Sequence, residues 1–209
     1  RPNWILNMKK FLHVGCGGKH KDETTPAFAS EDWQEVRLDI DKSANPDIIS
    51  SVLDLSIIDS ESFDAIFSSH NIEHVYTHEV QIMLTEFLRI LNNNGFFVVT
   101  CPNLIPVARL IVEDKLTDPA YESPAGSISP LDILYGHGAS IKRGNDFMAH
   151  KTGFTPKSLN ATLLVAGFKS VGMLARDPQL DIWAVATKEE IESKDKMMEI
   201  VKRHLPVAG

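Results

Sequence analysis

Short apolar runs alternate along this chain with turn residues and with segments whose apolar positions recur at helical spacing. Alternation of this kind predicts a parallel sheet covered by helices. Lys10 to Val14 reads as a first buried strand, and it breaks into Gly15-Cys16-Gly17-Gly18. Glu35 to Asp41 reads as a second strand ending in carboxylates. Asp47-Ile48-Ile49 leads toward Val52-Leu53-Asp54-Leu55, a third strand edge with its following turn. Phe63 to Ser69 is the fourth strand. Val80, Met83, Leu84, Phe87, Leu88 and Leu91 then share one helical face, and Asn92-Asn93-Asn94-Gly95 stops that helix with Gly95 suited to a left-handed cap.

Phe96 to Thr100 is the next strand, halted by Cys101-Pro102-Asn103. Thr155 before Pro156 is a helix N-cap, and Ala161 to Phe168 reads as helix running into a glycine stop. Ser170 to Ala175 and Asp181 to Thr187 form a late hairpin around Arg176-Asp177-Pro178. Lys188 to His204 is charged and helix-permissive, and predicts a solvated terminal helix. The segment 104–153 breaks the alternation with four prolines and several glycines. A long irregular insertion of this kind reads as a lid or binding loop on the substrate side of a single domain spanning 1–209.

Composition narrows the function classes. Lys and Arg number 21 against 28 Asp and Glu, a net charge of −7, which disfavours nucleic acid as a partner. The two cysteines, Cys16 and Cys101, have no near neighbour of their kind, as expected of a reduced, cytoplasmic protein. No run approaches the ~20 apolar residues of a membrane span. Arg1 to Asn7 precede Met8-Lys9-Lys10, which can be read as a native start, so this segment is expected to be in part an addition.

The glycine cluster lets backbone approach a ligand closely. A phosphate-gripping loop would need Ser or Thr after Gly18-Lys19, where His20 stands. A dinucleotide fingerprint would need a third glycine at that same position.

Leu12-His13-Val14-Gly15-Cys16-Gly17-Gly18, together with the order of the acidic strand ends and turns downstream of it, resembles the class I S-adenosylmethionine-dependent methyltransferases, and more closely those of the type 11 group. The resemblance runs from about Lys9 to Asn103 and resumes from Gly153 to Lys188. It implies a doubly wound α/β fold with a mostly parallel seven-stranded sheet and an insertion after strand five. It implies S-adenosyl-L-methionine as cofactor, with Gly15, Cys16, Gly17 and Gly18 under its methionine part. Asp39, with Ile40 beside it, falls where an acid holds the ribose hydroxyls; Asp41 is a near alternative. Asp54 and Leu55 fall where the adenine edge is read. Asp64 resembles a structural aspartate bonding to backbone near the glycine loop. The chain departs from the family at His13, where an acid is frequent.

His70-Asn71-Ile72-Glu73-His74 admits two chemistries. On a helix, H-x-x-E-H can bind zinc, with His78 extending the face and His137 or His150 as candidate third ligands. After a strand, the same residues resemble the methyltransferase pattern in which Glu73 and His74 sit beside the transferred methyl group. His74 would then take a proton from the nucleophile and Glu73 would orient it. Ser69 and His70 line the cofactor side, and no resident metal is assigned. In the insertion, His137 and His150 are substrate-binding candidates, whereas Phe147 and Met148 cover apolar surface.

The expected reaction is methyl transfer to an oxygen or nitrogen nucleophile of a small-molecule or sugar acceptor. The alternatives are a non-catalytic regulator that binds S-adenosylmethionine or S-adenosylhomocysteine, and a zinc-dependent hydrolase using His70, Glu73 and His74.

Overall fold

Strand β1 (Lys9–Val14) sends Leu12 and Val14 to one face of a sheet and Phe11 to the other, because successive side chains of a strand point oppositely. Both faces are covered, so the run reads as continuous apolar sequence. The computed structural model describes residues 8–206; Arg1 to Asn7, expected to be in part an addition, lie outside the described residues.

After β1 come the short helix α1 (Pro26–Ala29), β2 (Trp33–Asp39), β3 (Ile48–Ile49) and β4 (Phe63–Ser69). Helix α2 (Val80–Ile90), β5 (Leu91–Pro102) and α3 (Leu104–Val112) follow. A small hairpin, β6 (Tyr121–Ser123) and β7 (Gly126–Ile128), leads to α4 (Pro130–Tyr135) and α5 (Gly138–Lys142). The chain ends with α6 (Pro156–Ala166), β8 (Ser170–Arg176), β9 (Asp181–Thr187) and α7 (Lys194–His204). The main sheet has seven strands in the order β3-β2-β1-β4-β5-β9-β8. Only β9 runs antiparallel, pairing with β5 from Phe96–Thr187 to Pro102–Asp181 and with β8 on its other side. From β1 the chain builds outward to β3, then returns to lay β4 on the opposite flank. That reversal opens a crevice at the carboxyl ends of β1 and β4, where such sheets hold ligands.

Helices α2 and α6 cover one face through Met83, Leu84, Phe87, Leu159 and Leu163. Thr155 caps α6 by accepting from the Ser158 amide, and Gly167 ends it at φ 118°. On the other face, α1 and α7 enclose Phe28, Trp33, Phe67 and Val185. The terminal helix is therefore not a free solvated one. Met197, Ile200, Val201 and Leu205 pack on the sheet, and His204 is buried.

The other departures are local. The third strand is only Ile48–Ile49, and residues 52–55 form turns. Gly95 is not a left-handed cap, since it lies outside the positive-φ positions and inside β5. A β-carbon there would stand 2.9 Å from the Asn92 carbonyl oxygen, and this close approach accounts for the glycine. Asp64 is structural, but at the opposite end of the sheet from the glycine turn: it accepts from the Lys10 amide and from Asn92.

The segment 104–153 contributes Val107, Ile128 and Ile133 to a small apolar centre that Leu180, from the turn between β8 and β9, completes. Its last segment returns to the turn after β4. The amides of Lys151 and Thr152 both donate to the Glu73 carbonyl, at 2.8 and 3.3 Å.

Candidate functional site

The glycine turn is built around two left-handed residues, Gly15 at φ 60° and Gly17 at φ 51°. The amide of Gly17 donates to Asp39 Oδ2 at 2.8 Å, and the amide of Asp41 donates to Asp39 Oδ1 at 2.8 Å. Two backbone donors thus fix a buried carboxylate at the end of β2, and each oxygen keeps a lone pair for a further donor. Asp41 itself caps the following turn through the Ser43 amide, which holds its carboxyl below the ordinary range.

A cavity of about 330 Å³ opens here, within the range of small-ligand sites. Gly15, Gly17, Leu38, Asp39, Ile40 and Asp41 form one wall, and Ser50 to Leu53 another. His70, Asn71, His74 and Val75 close the far side, roofed by Asn145, Phe147, Met148 and Lys151 of the insertion. Ile40 is 47% exposed in this wall, an apolar surface suited to a flat ring.

Of the residues named from sequence, Gly15, Gly17, Asp39, Ile40, His70 and His74 line the cavity. Asp54 and Leu55 do not. The Asp54 carboxylate accepts from the Ser56 amide, and Leu55 lies in the core, so the wall expected of them comes from Ser51, Val52 and Leu53. Cys16 points into the protein, where burial pushes its thiol up to about 11. Gly18 and Ser69 lie outside the lining. His137 is bonded to Ser140 Oγ at 2.8 Å beside α5, away from the cavity. Phe147 and Met148, expected only to cover surface, are part of the roof.

Residues 70–74 are not an α-helix. His70 sits at φ 49° and Ile72–His74 is one 3-10 turn, so the helical pairing of His70 with His74 that the zinc hydrolase pattern requires does not form. Glu73 lies behind the cavity wall at 1% exposure, and neither of its oxygens has a hydrogen bond. Around it stand His70 Nδ1 at 3.4 Å, His150 Nε2 at 4.0 Å, and His74. Burial disfavours charge on Glu73, but these imidazoles, His70 first, hold its carboxyl below the ordinary value. His70 is raised in turn, because Glu73 outweighs the desolvation that opposes its charge. His150, in the last segment of the insertion, is lowered chiefly by burial.

Sequence reasoning missed Arg37 and Asn71. Arg37 is buried and donates to the carbonyls of Gly17, Lys19, Ala44 and Asn45. Asn71 presses against the α-carbon of Gly15. A buried strand arginine between two loops was the available signal for the first; only the fold reveals the second.

Residues 12–99 match a family model described as a methyltransferase domain. A search of curated proteins returns no match. Solved structures share the fold. One is a methyltransferase dependent on S-adenosylmethionine from Archaeoglobus fulgidus, 15% identical with TM-score 0.55 over 88% of this chain and 89% of that one. Another, from Methanosarcina mazei, is 15% identical with TM-score 0.55 over 91% and 99%. A third is the 1,6-didemethyltoxoflavin N1-methyltransferase of Burkholderia thailandensis, solved with that compound and S-adenosylhomocysteine. It is 13% identical with TM-score 0.55 over 89% and 73%. Residues 12–99 are therefore similar to a methyltransferase domain, and the chain as a whole shares its fold with solved S-adenosylmethionine-dependent methyltransferases. Among the described residues, no helix is long and apolar enough to cross a membrane.

Proposed function

We propose that the protein transfers a methyl group from S-adenosylmethionine to an oxygen or nitrogen nucleophile of a small-molecule or sugar acceptor, in the cytoplasm. The single observation that carries this reading is the continuity of the cavity. One space joins Gly17 and Asp39 to His74 and to the insertion roof at Phe147 and Met148. Asp39 would take the ribose hydroxyls on its remaining lone pairs, with Ile40, Val52 and Leu53 flanking the adenine. The methionine part would lie along Gly15 and Gly17, which points the methyl group toward His74.

His74 Nδ1 faces the Ala149 carbonyl at 3.1 Å. A carbonyl can only accept, so that nitrogen carries the hydrogen, and in the neutral ring Nε2 keeps its lone pair. A group so placed can receive the proton of a hydroxyl or amine as the carbon–sulfur bond breaks and the new bond to the methyl carbon forms. Glu73 is a positioning residue here, because it is buried behind the wall and cannot touch an acceptor. The donor is intrinsically reactive, so alignment and exclusion of water supply most of the rate and proton removal adds to it.

The test is release of S-adenosylhomocysteine with a panel of sugar and small-molecule hydroxyls and amines. Turnover with at least one acceptor is expected, and His74→Ala should cut it by ~100-fold while leaving S-adenosylhomocysteine affinity near that of the wild type. A protein that binds the cofactor but turns over none of the panel would be a binding module, and the reading would fall.

A further inference from the structure

Behind the cavity wall, the buried Glu73 carboxylate meets two imidazoles that have no hydrogen to offer it while neutral. His150 Nδ1 lies 2.7 Å from the Ile133 carbonyl, and His74 Nδ1 lies 3.1 Å from that of Ala149. Each carbonyl fixes the hydrogen on Nδ1 and leaves Nε2 as a lone pair, the arrangement by which backbone carbonyls orient metal-binding histidines. His150 Nε2 stands 4.0 Å from Glu73 Oε1. One ligand atom from each of Glu73, His74 and His150 can be chosen so that all three lie within 4.8 Å of one another. Both Glu73 oxygens are buried without a hydrogen bond. Acceptors therefore converge on one point with only the half-exposed His70 Nδ1, 3.4 Å from Glu73 Oε1, beside them as a donor, an arrangement that is costly in a buried place unless a cation joins them.

We propose that Glu73, His74 and His150 bind one divalent first-row transition cation, such as Zn²⁺, just behind the cavity wall that His74 forms. Two imidazoles and a carboxylate suit that class of ion and leave coordination positions free. Ligand atoms about 2.1 Å from a tetrahedral ion stand roughly 3.4 Å apart, so small side-chain adjustments close the set. His70 Nδ1, 3.4 Å from the same carboxylate and part of the cavity lining, guards the open side. The fold supports the arrangement from outside. Gly136, at φ 99°, lets the insertion come so close that a β-carbon there would overlap the Met148 carbonyl, and the adjoining Tyr135 carbonyl accepts from the His150 amide. This set differs from the H-x-x-E-H pair, because the second imidazole comes from the insertion.

A hydroxyl bound at an open position releases its proton to solvent more readily, and the cation then replaces the His74 lone pair in preparing an acceptor. That role rests on the methyl-transfer reading, whereas binding of the ion does not. The experiment therefore reads metal alone. Untagged full-length protein is stripped with a chelator and titrated with Zn²⁺ by calorimetry and with Co²⁺ by visible absorption, without donor or acceptor. One equivalent is expected, with the intense bands of low-symmetry cobalt. Glu73→Gln and His150→Ala should each weaken uptake at least tenfold, and the exposed His78→Ala should not. Glu73→Gln nearly preserves shape, and thermal melting identifies a variant that fails to fold. Absence of a saturable equivalent in the wild type, or undiminished uptake by folded Glu73→Gln, would overturn the site.

Discussion

The guanidinium of Arg37 donates to the Gly17 carbonyl at 2.6 Å, which fastens the glycine turn to the strand beside it. The same group reaches Lys19, Ala44 and Asn45, so it also holds the loop after β2, on the far side of the Asp39 carboxylate. A planar fork can span two loops in this way, and a lysine ammonium cannot. Arg37→Lys is therefore expected to weaken S-adenosylhomocysteine binding tenfold or more. Arg37→Ala strands carbonyls in a buried place and should cost about 2–4 kcal/mol. Calorimetry reads the first effect and denaturant unfolding the second; wild-type affinity in Arg37→Lys would contradict it.

Gly15 and Asn71 meet in an equally restrictive way. A β-carbon on Gly15 would stand 2.2 Å from Asn71 Nδ2, and the backbone there is left-handed at φ 60°. Gly15→Ala must displace Asn71 and strain the turn, two costs of about 1–2 kcal/mol each. The variant should lose cofactor binding in calorimetry and melt at lower temperature. Gly18→Ala, which meets nothing within 4 Å, should do neither.

These two contacts mark the boundary of what the chain discloses on its own. Periodicity and turn residues were enough for β1, β4, β9, α2 and the α6 cap, because each is set by neighbours in sequence. That Gly15, Gly17 and Asp39 stand beside one cavity was legible because a strand end and a glycine turn are local signals. Asp54 was not distinguishable from Leu53, since a shift of one or two residues in a turn decides which side chain faces the cavity. The amphipathic face of α7 was present in Met197, Ile200, Val201 and His204, but surrounding charge masked it. His150 joined Glu73 only through the path of the insertion, which no local pattern encodes.

Asp39 and Asp54 provide a direct contrast between the two kinds of signal. Asp39 accepts from the amides of Gly17 and Asp41 with its two oxygens. Asp39→Asn would point its amide nitrogen at one of those donors, leaving a buried N–H without an acceptor. S-adenosylhomocysteine affinity should fall at least tenfold, about 1.4 kcal/mol. Asp54→Ala removes only a turn bond to Ser56 and should leave affinity unchanged in the same calorimetric assay. Equal losses in the two variants would restore Asp54 to the adenine site.

His204 makes stability depend on acid. Thr25 Oγ1 accepts from the Phe28 amide and is 3.1 Å from His204 Nδ1, so the hydroxyl hydrogen is free to donate to an unprotonated ring. Burial, reinforced by the charges of Arg203 and Lys9, pushes His204 down to about 4 from an ordinary 6.5. Between these values the unfolded chain takes up a proton that the folded chain refuses. Lowering the pH through that window therefore favours unfolding, and above 6.5 the effect vanishes. From pH 7 to pH 5 the loss from this group is about 2 kcal/mol. His204→Leu keeps an apolar side chain against Phe28 and Phe96, whose rings lie 4.4 and 4.9 Å from the imidazole, but removes the titration. Urea unfolding at pH 7 and pH 5 should show a smaller difference in the variant than in the wild type. Equal differences would assign the acid sensitivity to other groups and free α7 from this role.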